Sequence, residues 1–167
     1  MSHLLDQSSL KQIAIAGSCG KTSVTAWLAS ALQFLGYNPL MINGGYVNEF
    51  ISESTPGNFK NGENFAIYEA DESDGSLINF TPTVSVLLNL GKDHYEKDEL
   101  EKFFSTFLNN ATESRVINSE LAHLYKGSSV TFDSTNTSVP LSIEKYWHEK
   151  EGVSFTTEFA TINTQQW

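Results

Sequence analysis

Arginine is almost missing from this chain, since Arg115 is the only one among 167 residues, and cysteine occurs once, at Cys19. A single thiol excludes a disulfide framework and points to a reducing compartment. Twenty acidic residues against ten Lys plus Arg leave a net charge of −10, which argues against a broad nucleic-acid surface or an anionic membrane as partner. Any polyanion has to bind in a local site. No apolar run is long enough to span a membrane, and residues 1–6 lack a basic flank leading into an apolar core, so the expectation is a cytoplasmic protein without a membrane partner. At this length the chain is expected to form a single domain over residues 1–167 that buries well over half of its unfolded surface without staples.

What is present is concentrated in Ile13-Ala14-Ile15-Ala16 followed by Gly17-Ser18-Cys19-Gly20-Lys21-Thr22-Ser23. An apolar strand runs into a glycine turn and then into a helix start carrying Lys-Thr. Glycines let backbone N–H groups turn toward phosphates and the helix N-terminus adds partial positive charge. Lys21 can reach the outer phosphates, and the Thr22 hydroxyl can hold Mg²⁺. Only Ser18 and Cys19 separate Gly17 from Gly20, two residues fewer than the common P-loop spacing has there. The dinucleotide fingerprint would need glycine at position 19, which is cysteine.

Along the chain, apolar residues at 24, 27, 28, 31, 32 and 35 predict a helix stopped by Gly36 and Asn38-Pro39. Residues 40–42, 64–68 and 115–117 read as strands, and residues 83–88 as a strand buried on both faces of a parallel sheet. Leu100, Phe103, Phe104, Phe107, Leu108 and Ala111 form an amphipathic stripe over residues 99–112. Residues 121–125 fit a short helix. This alternation predicts an α/β doubly wound, mainly parallel sheet. Beyond residue 132 the texture changes, and residues 142–147 and 153–159 suggest a small antiparallel ribbon near the C-terminus.

Two polar groups fall at predicted C-terminal strand ends, the edge at which open α/β sheets bind ligands. Glu69-Ala70-Asp71-Glu72-Ser73-Asp74 places four carboxylates in six residues, a density that reads either as a solvated turn or as a divalent-cation site. Asn89-Leu90-Gly91-Lys92-Asp93-His94 follows the buried strand, and His94 there could be a metal ligand or a general base.

Taken in order, the glycine loop, the Glu69 to Asp74 cluster and Asn89-x-x-x-Asp93-His94 resemble the central ATP-binding domain of the Mur ligases. The likeness covers roughly residues 10 to 132. The acidic wording and the Gly44-Gly45 pair are most similar to the branch of that family that joins L-alanine to UDP-N-acetylmuramate. The resemblance implies ATP and Mg²⁺ as cofactors, a UDP-N-acetylmuramate-type substrate, a role in peptidoglycan synthesis, and further domains that this chain lacks. It implies phosphate binding by Gly17, Ser18, Cys19, Gly20, Lys21, Thr22 and Ser23, with Lys21 on the β- and γ-phosphates. Magnesium would be held at Thr22 and Glu69, with a second ion at His94, so Lys21, Glu69 and His94 are the implied catalytic set. Alternatives are another Mur-type or folate-polyglutamate-type ligase domain, or a noncatalytic nucleotide-binding module. Efficient phosphoryl transfer recruits several cations, and one arginine far from the loop in sequence implies that this chain alone forms no amide.

Overall fold

Strand β1 (Lys11–Ala16) is apolar on both sides because both faces of its sheet are covered. In this computed structural model the described residues are 9–73, 75–91, 96–134, 136, 138–139, 141–142, 145–149, 152–156 and 161–165, the segments from 142 onward through their backbone. After β1 come helix α1 (Lys21–Phe34), β2 (Leu40–Ile42), the two-residue strands β3 (Ile51–Ser52), β4 (Thr55–Pro56) and β5 (Phe59–Lys60), then β6 (Phe65–Glu69) and β7 (Val84–Leu87). Helix α2 (Lys97–Asn110), β8 (Ser114–Asn118), β9 (Val130–Asp133) and β10 (Leu141–Ser142) complete the main unit.

The main sheet has eight strands in the order β10-β9-β8-β7-β1-β6-β2-β5. All its neighbours pair in parallel except β5, which joins β2 antiparallel at the edge. β1 sits between β6 and β7, with Ile15 opposite Glu69 on one side and Ala16 opposite Leu87 on the other. The chain therefore leaves the sheet at three neighbouring points, all at C-terminal strand ends, where the loop, the acidic cluster and the Asn89 turn begin.

Alternation along the strands sorts the core into two layers. Ala14, Ala16, Ala66, Tyr68 and Leu87 face α2, against Leu100, Phe104, Phe107 and Leu108. Ile13, Met41 and Ile67 face α1, against Ala26, Leu28, Ala29 and Leu32. Phe104 and Phe107 are fully buried, each contributing roughly 1.5–3 kcal/mol relative to exposure. The doubly wound parallel architecture predicted from the alternation is thus what forms.

Several local expectations shift. The stripe expected on α1 does not face the sheet as a whole: Trp27 is 52% and Leu35 67% exposed, whereas Thr25 and Ala29 are fully buried. Small side chains let the helix axis approach the strands, so proximity selects Thr25 and Ala29 over the larger apolar groups. The short helix expected at residues 121–125 is a 3₁₀ segment, Ser119–Leu124. At the C-terminal end, β11 (Lys145–Glu149), β12 (Gly152–Thr156) and β13 (Thr161–Gln165) pair antiparallel as a separate three-stranded sheet. The ribbon was legible, but the third strand was not, because Ile162 is the only aliphatic residue in its run. No helix among the described residues is long and apolar enough to cross a membrane.

Candidate nucleotide site

The glycine loop begins where β1 ends. Gly17 has φ of 140° and Gly20, at the start of α1, φ of 83°, conformations that an L side chain strains to adopt. A Cβ on Gly17 would lie 3.1 Å from the Asn89 nitrogen and from Leu88 Cβ, so crowding reinforces the dihedral argument. The first turn of α1 is closed by a bond from Val24 N–H to the Gly20 carbonyl at 3.0 Å. The amides of Lys21, Thr22 and Ser23 therefore precede it at the positive end of the helix.

Asn89 organises the other half of the loop. Its Oδ1 accepts from Cys19 N–H at 2.9 Å, its Nδ2 donates to the Cys19 carbonyl at 2.9 Å, and its own carbonyl accepts from Ser18 N–H at 3.3 Å. This pairing continues the β1–β7 ladder past the last residue of the strand by side-chain means. Gly91 N–H donates to Ser18 Oγ at 2.9 Å and ties down the next turn. The Ser18 and Cys19 amides are thus satisfied by the protein here.

Lys21 Nζ donates to the Gly17 carbonyl at 2.8 Å and pairs with Glu72 Oε2 at 2.9 Å and Oε1 at 3.2 Å. Asp71 Oδ1 lies 3.9 Å away. Glu69, at the end of β6, accepts from the Thr22 hydroxyl at 3.1 Å through Oε2, and from Gly44 N–H through Oε1. Gly44 and Gly45 allow this convergence, since a Cβ on Gly45 would meet Thr22 Cγ2 at 2.9 Å. Carboxylate and hydroxyl oxygens suit a hard cation that keeps much of its water. Among the described residues, no three acidic, thiol or imidazole groups cluster tightly enough to cage a metal alone.

The structure therefore brings Gly17, Ser18, Cys19, Gly20, Lys21, Thr22, Ser23 and Glu69 together at one sheet edge. His94, with Lys92, Asp93 and Asp74, lies outside the described residues. Sequence reading gave no individual role to Glu72 or Asn89. The signal for Glu72 was its parity, because Ala70 and Glu72 are buried while Asp71 is exposed. Arg115 is used elsewhere: its Nε donates to the Leu108 carbonyl at 3.0 Å and its guanidinium sits over Tyr125 at 4.8 Å. A hollow of about 180 Å³ next to Thr22 and Ser23 is lined also by Trp27, Asn43 and Tyr46. The larger one, about 620 Å³, runs between α2 and His123 and shares no residue with the loop; its size carries less weight than the converging groups at the sheet edge.

Residues 15–161 match the Mur ligase middle domain. The chain belongs to that family. Among relatives, this Mur ligase middle domain is 40% identical over 98 residues to the UDP-N-acetylmuramate--L-alanine ligase of Trichlorobacter lovleyi, covering 58% of the chain and 21% of that protein. It is 33% identical over 135 residues to the enzyme of the same name from Wolbachia pipientis, covering 78% of the chain and 26% of that protein. The chain thus spans about a fifth to a quarter of the length of these relatives. In fold it is similar to the crystal structure of UDP-N-acetylmuramate-alanine ligase MurC from Thermotoga maritima, with TM-score 0.82, 22% identity, and 97% of this chain and 38% of that one covered. The Thermotoga maritima MurF ligase, whose structure is a complex with ADP, aligns with TM-score 0.70 at 17% identity over 98% of this chain and 42% of that one.

Proposed function

We propose that this middle domain binds ATP with Mg²⁺ for an ATP-dependent carboxylate–amine ligase that joins L-alanine to UDP-N-acetylmuramate in cell-wall synthesis. The observation that carries the reading is the convergence of Lys21, Thr22 and Glu69 on the mouth of a strand–glycine–helix loop. Relatives named for that reaction supply the choice of substrates.

In this reading Lys21 directs its ammonium at the β- and γ-phosphates, and the amides of residues 20–23 take phosphate oxygens at the positive end of α1. Thr22 and Glu69 would hold magnesium, which when bound would supply positive charge against the negative charge on the phosphoryl group being transferred. His94 is the residue proposed for a second ion. The overall exchange has two steps. A substrate carboxylate oxygen bonds to the γ-phosphorus as the β,γ-bridging bond breaks and ADP leaves; the alanine amine then bonds to the acyl carbon, phosphate departs and the amine loses a proton. Because the lone arginine is engaged at the α2 end, the remaining cations and the substrate-binding groups come from other parts of a ligase, and the chain alone forms no amide.

Calorimetry of this chain with ATP, ADP and GTP, each with and without Mg²⁺, tests the nucleotide step. Magnesium-dependent binding of the adenine nucleotides is expected. Lys21→Ala removes a charge-assisted contact of about 1.5–3 kcal/mol, equivalent to roughly tenfold to a hundredfold in affinity. Undiminished ATP affinity in that variant would refute the assignment of Lys21.

A further inference from the structure

An ammonium group carries three N–H donors, and Lys21 meets three acceptors within the protein: the Gly17 carbonyl and both oxygens of Glu72. A phosphate bonding directly to Lys21 therefore competes with these acceptors for its N–H groups. The Glu72 side chain is 4% exposed, against 59% for its neighbour Asp71. This inward turn is fixed locally, because Asp71 Oδ1 accepts from Ser73 N–H at 3.0 Å and the Glu72 carbonyl accepts from Gly75 N–H at 3.0 Å. Glu72 is therefore buried against the ammonium, while the separate carboxylate Glu69 accepts from the Thr22 hydroxyl.

We propose that Glu72 is a positioning residue that holds Lys21 against the Gly17 carbonyl while the loop is empty and makes nucleotide capture depend on an accompanying divalent cation. The inference rests on the nucleotide reading given above. When phosphate oxygens take over an N–H of Lys21, a carboxylate oxygen of Glu72 loses its partner, and a buried anion then faces a polyanion across one shared ammonium. In a partly desolvated site like charges at such range repel strongly. A cation held between the phosphates and Glu69 adds positive charge at the same place and offsets the conflict. Metal-free nucleotide has nothing to offset it, so the site discriminates through Glu72 rather than through a metal ligand alone.

The test is the ratio of ATP dissociation constants measured in EDTA and in Mg²⁺, by calorimetry, for the parent chain, Glu72→Gln, Glu72→Asp and Asp71→Asn. Removing the buried charge in Glu72→Gln is expected to tighten metal-free ATP binding and shrink the ratio about tenfold, within the usual range of coupling between ligands. Glu72→Asp keeps the charge and keeps most of the ratio, and the solvent-screened Asp71→Asn changes it less than about threefold. Thermal melts check that each variant folds; if Glu72→Gln does not, Glu72→Ala carries the same expectation. A ratio in Glu72→Gln equal to the parent's, with ATP still bound by both, overturns the role of Glu72 and leaves the nucleotide reading standing. No ATP binding by the parent in Mg²⁺ overturns both.

Discussion

Lys21→Ala perturbs more than a ligand contact, because the same side chain neutralises Glu72. With Lys21 14% and Glu72 4% exposed, the pair is nearly buried, and removing one partner of a buried pair costs roughly 3–5 kcal/mol by leaving an uncompensated charge. The residual access of Lys21 to solvent places the cost at the lower end, about 3 kcal/mol. For a domain of this size each 1 kcal/mol shifts the melting temperature by about 2–4 °C, so Lys21→Ala is expected to melt about 6–12 °C below the parent without any nucleotide. Adding Glu72→Gln removes the stranded charge, and the double variant should recover at least half of the loss. Thermal and urea denaturation followed by circular dichroism give both numbers. A Lys21→Ala variant that melts within about 2 °C of the parent, or a double variant no more stable than the single one, would show that the pair is not the buried unit described here. The cycle also separates two reasons for lost ATP binding, since a missing contact persists in the double variant whereas a loop disordered by the stranded carboxylate is repaired.

Two further outcomes concern the loop. Asn89→Ala deletes both side-chain bonds to the Cys19 backbone, at about 0.5–1.5 kcal/mol each; the melting temperature should fall by about 2–12 °C, and ATP affinity measured by calorimetry should fall at least about fivefold as the loop loosens. An unchanged affinity would remove Asn89 from the loop's support. Gly17→Ala forces a side chain into φ of 140° against Asn89 and Leu88, a strain of order 1–3 kcal/mol, and should lower both stability and nucleotide binding. Melting and affinity equal to the parent's would show that the turn relaxes freely.

Much of this architecture was readable because it depends on local periodicity and on glycine. The run at residues 83–88 gave strand β7, although only its Ser85 and Leu87 are fully buried while Val84 and Val86 on the other face stay half-buried, and the stripe of Leu100, Phe104, Phe107 and Leu108 gave α2, since large apolar groups at helical spacing have one place to go. The face of α1 was harder. Thr25 and Ala29 bury by closeness of approach, which leaves no hydrophobic signature, and Trp27 stays exposed. Short strands β3, β4 and β5 carry two residues each and cannot show a period. In the site, residue types announced the glycine loop and the acidic cluster, but which carboxylate turns inward was decided by the local Asp71–Ser73 and Glu72–Gly75 bonds, which leave no compositional mark. Asn89 was hidden for a related reason, as a side chain substituting for a strand rung has no compositional mark.

The central placement of β1 also bears on motion. Its ladders to β6 and β7 are flanked by further parallel strands on both sides, so its amides belong to the last part of the molecule to open, and hydrogen exchange there should approach the rate of global unfolding. The loop, Glu69 and the Asn89 turn are all rooted in those three strands. A ligand bound on this platform would exchange partners among side chains above a floor that opens last.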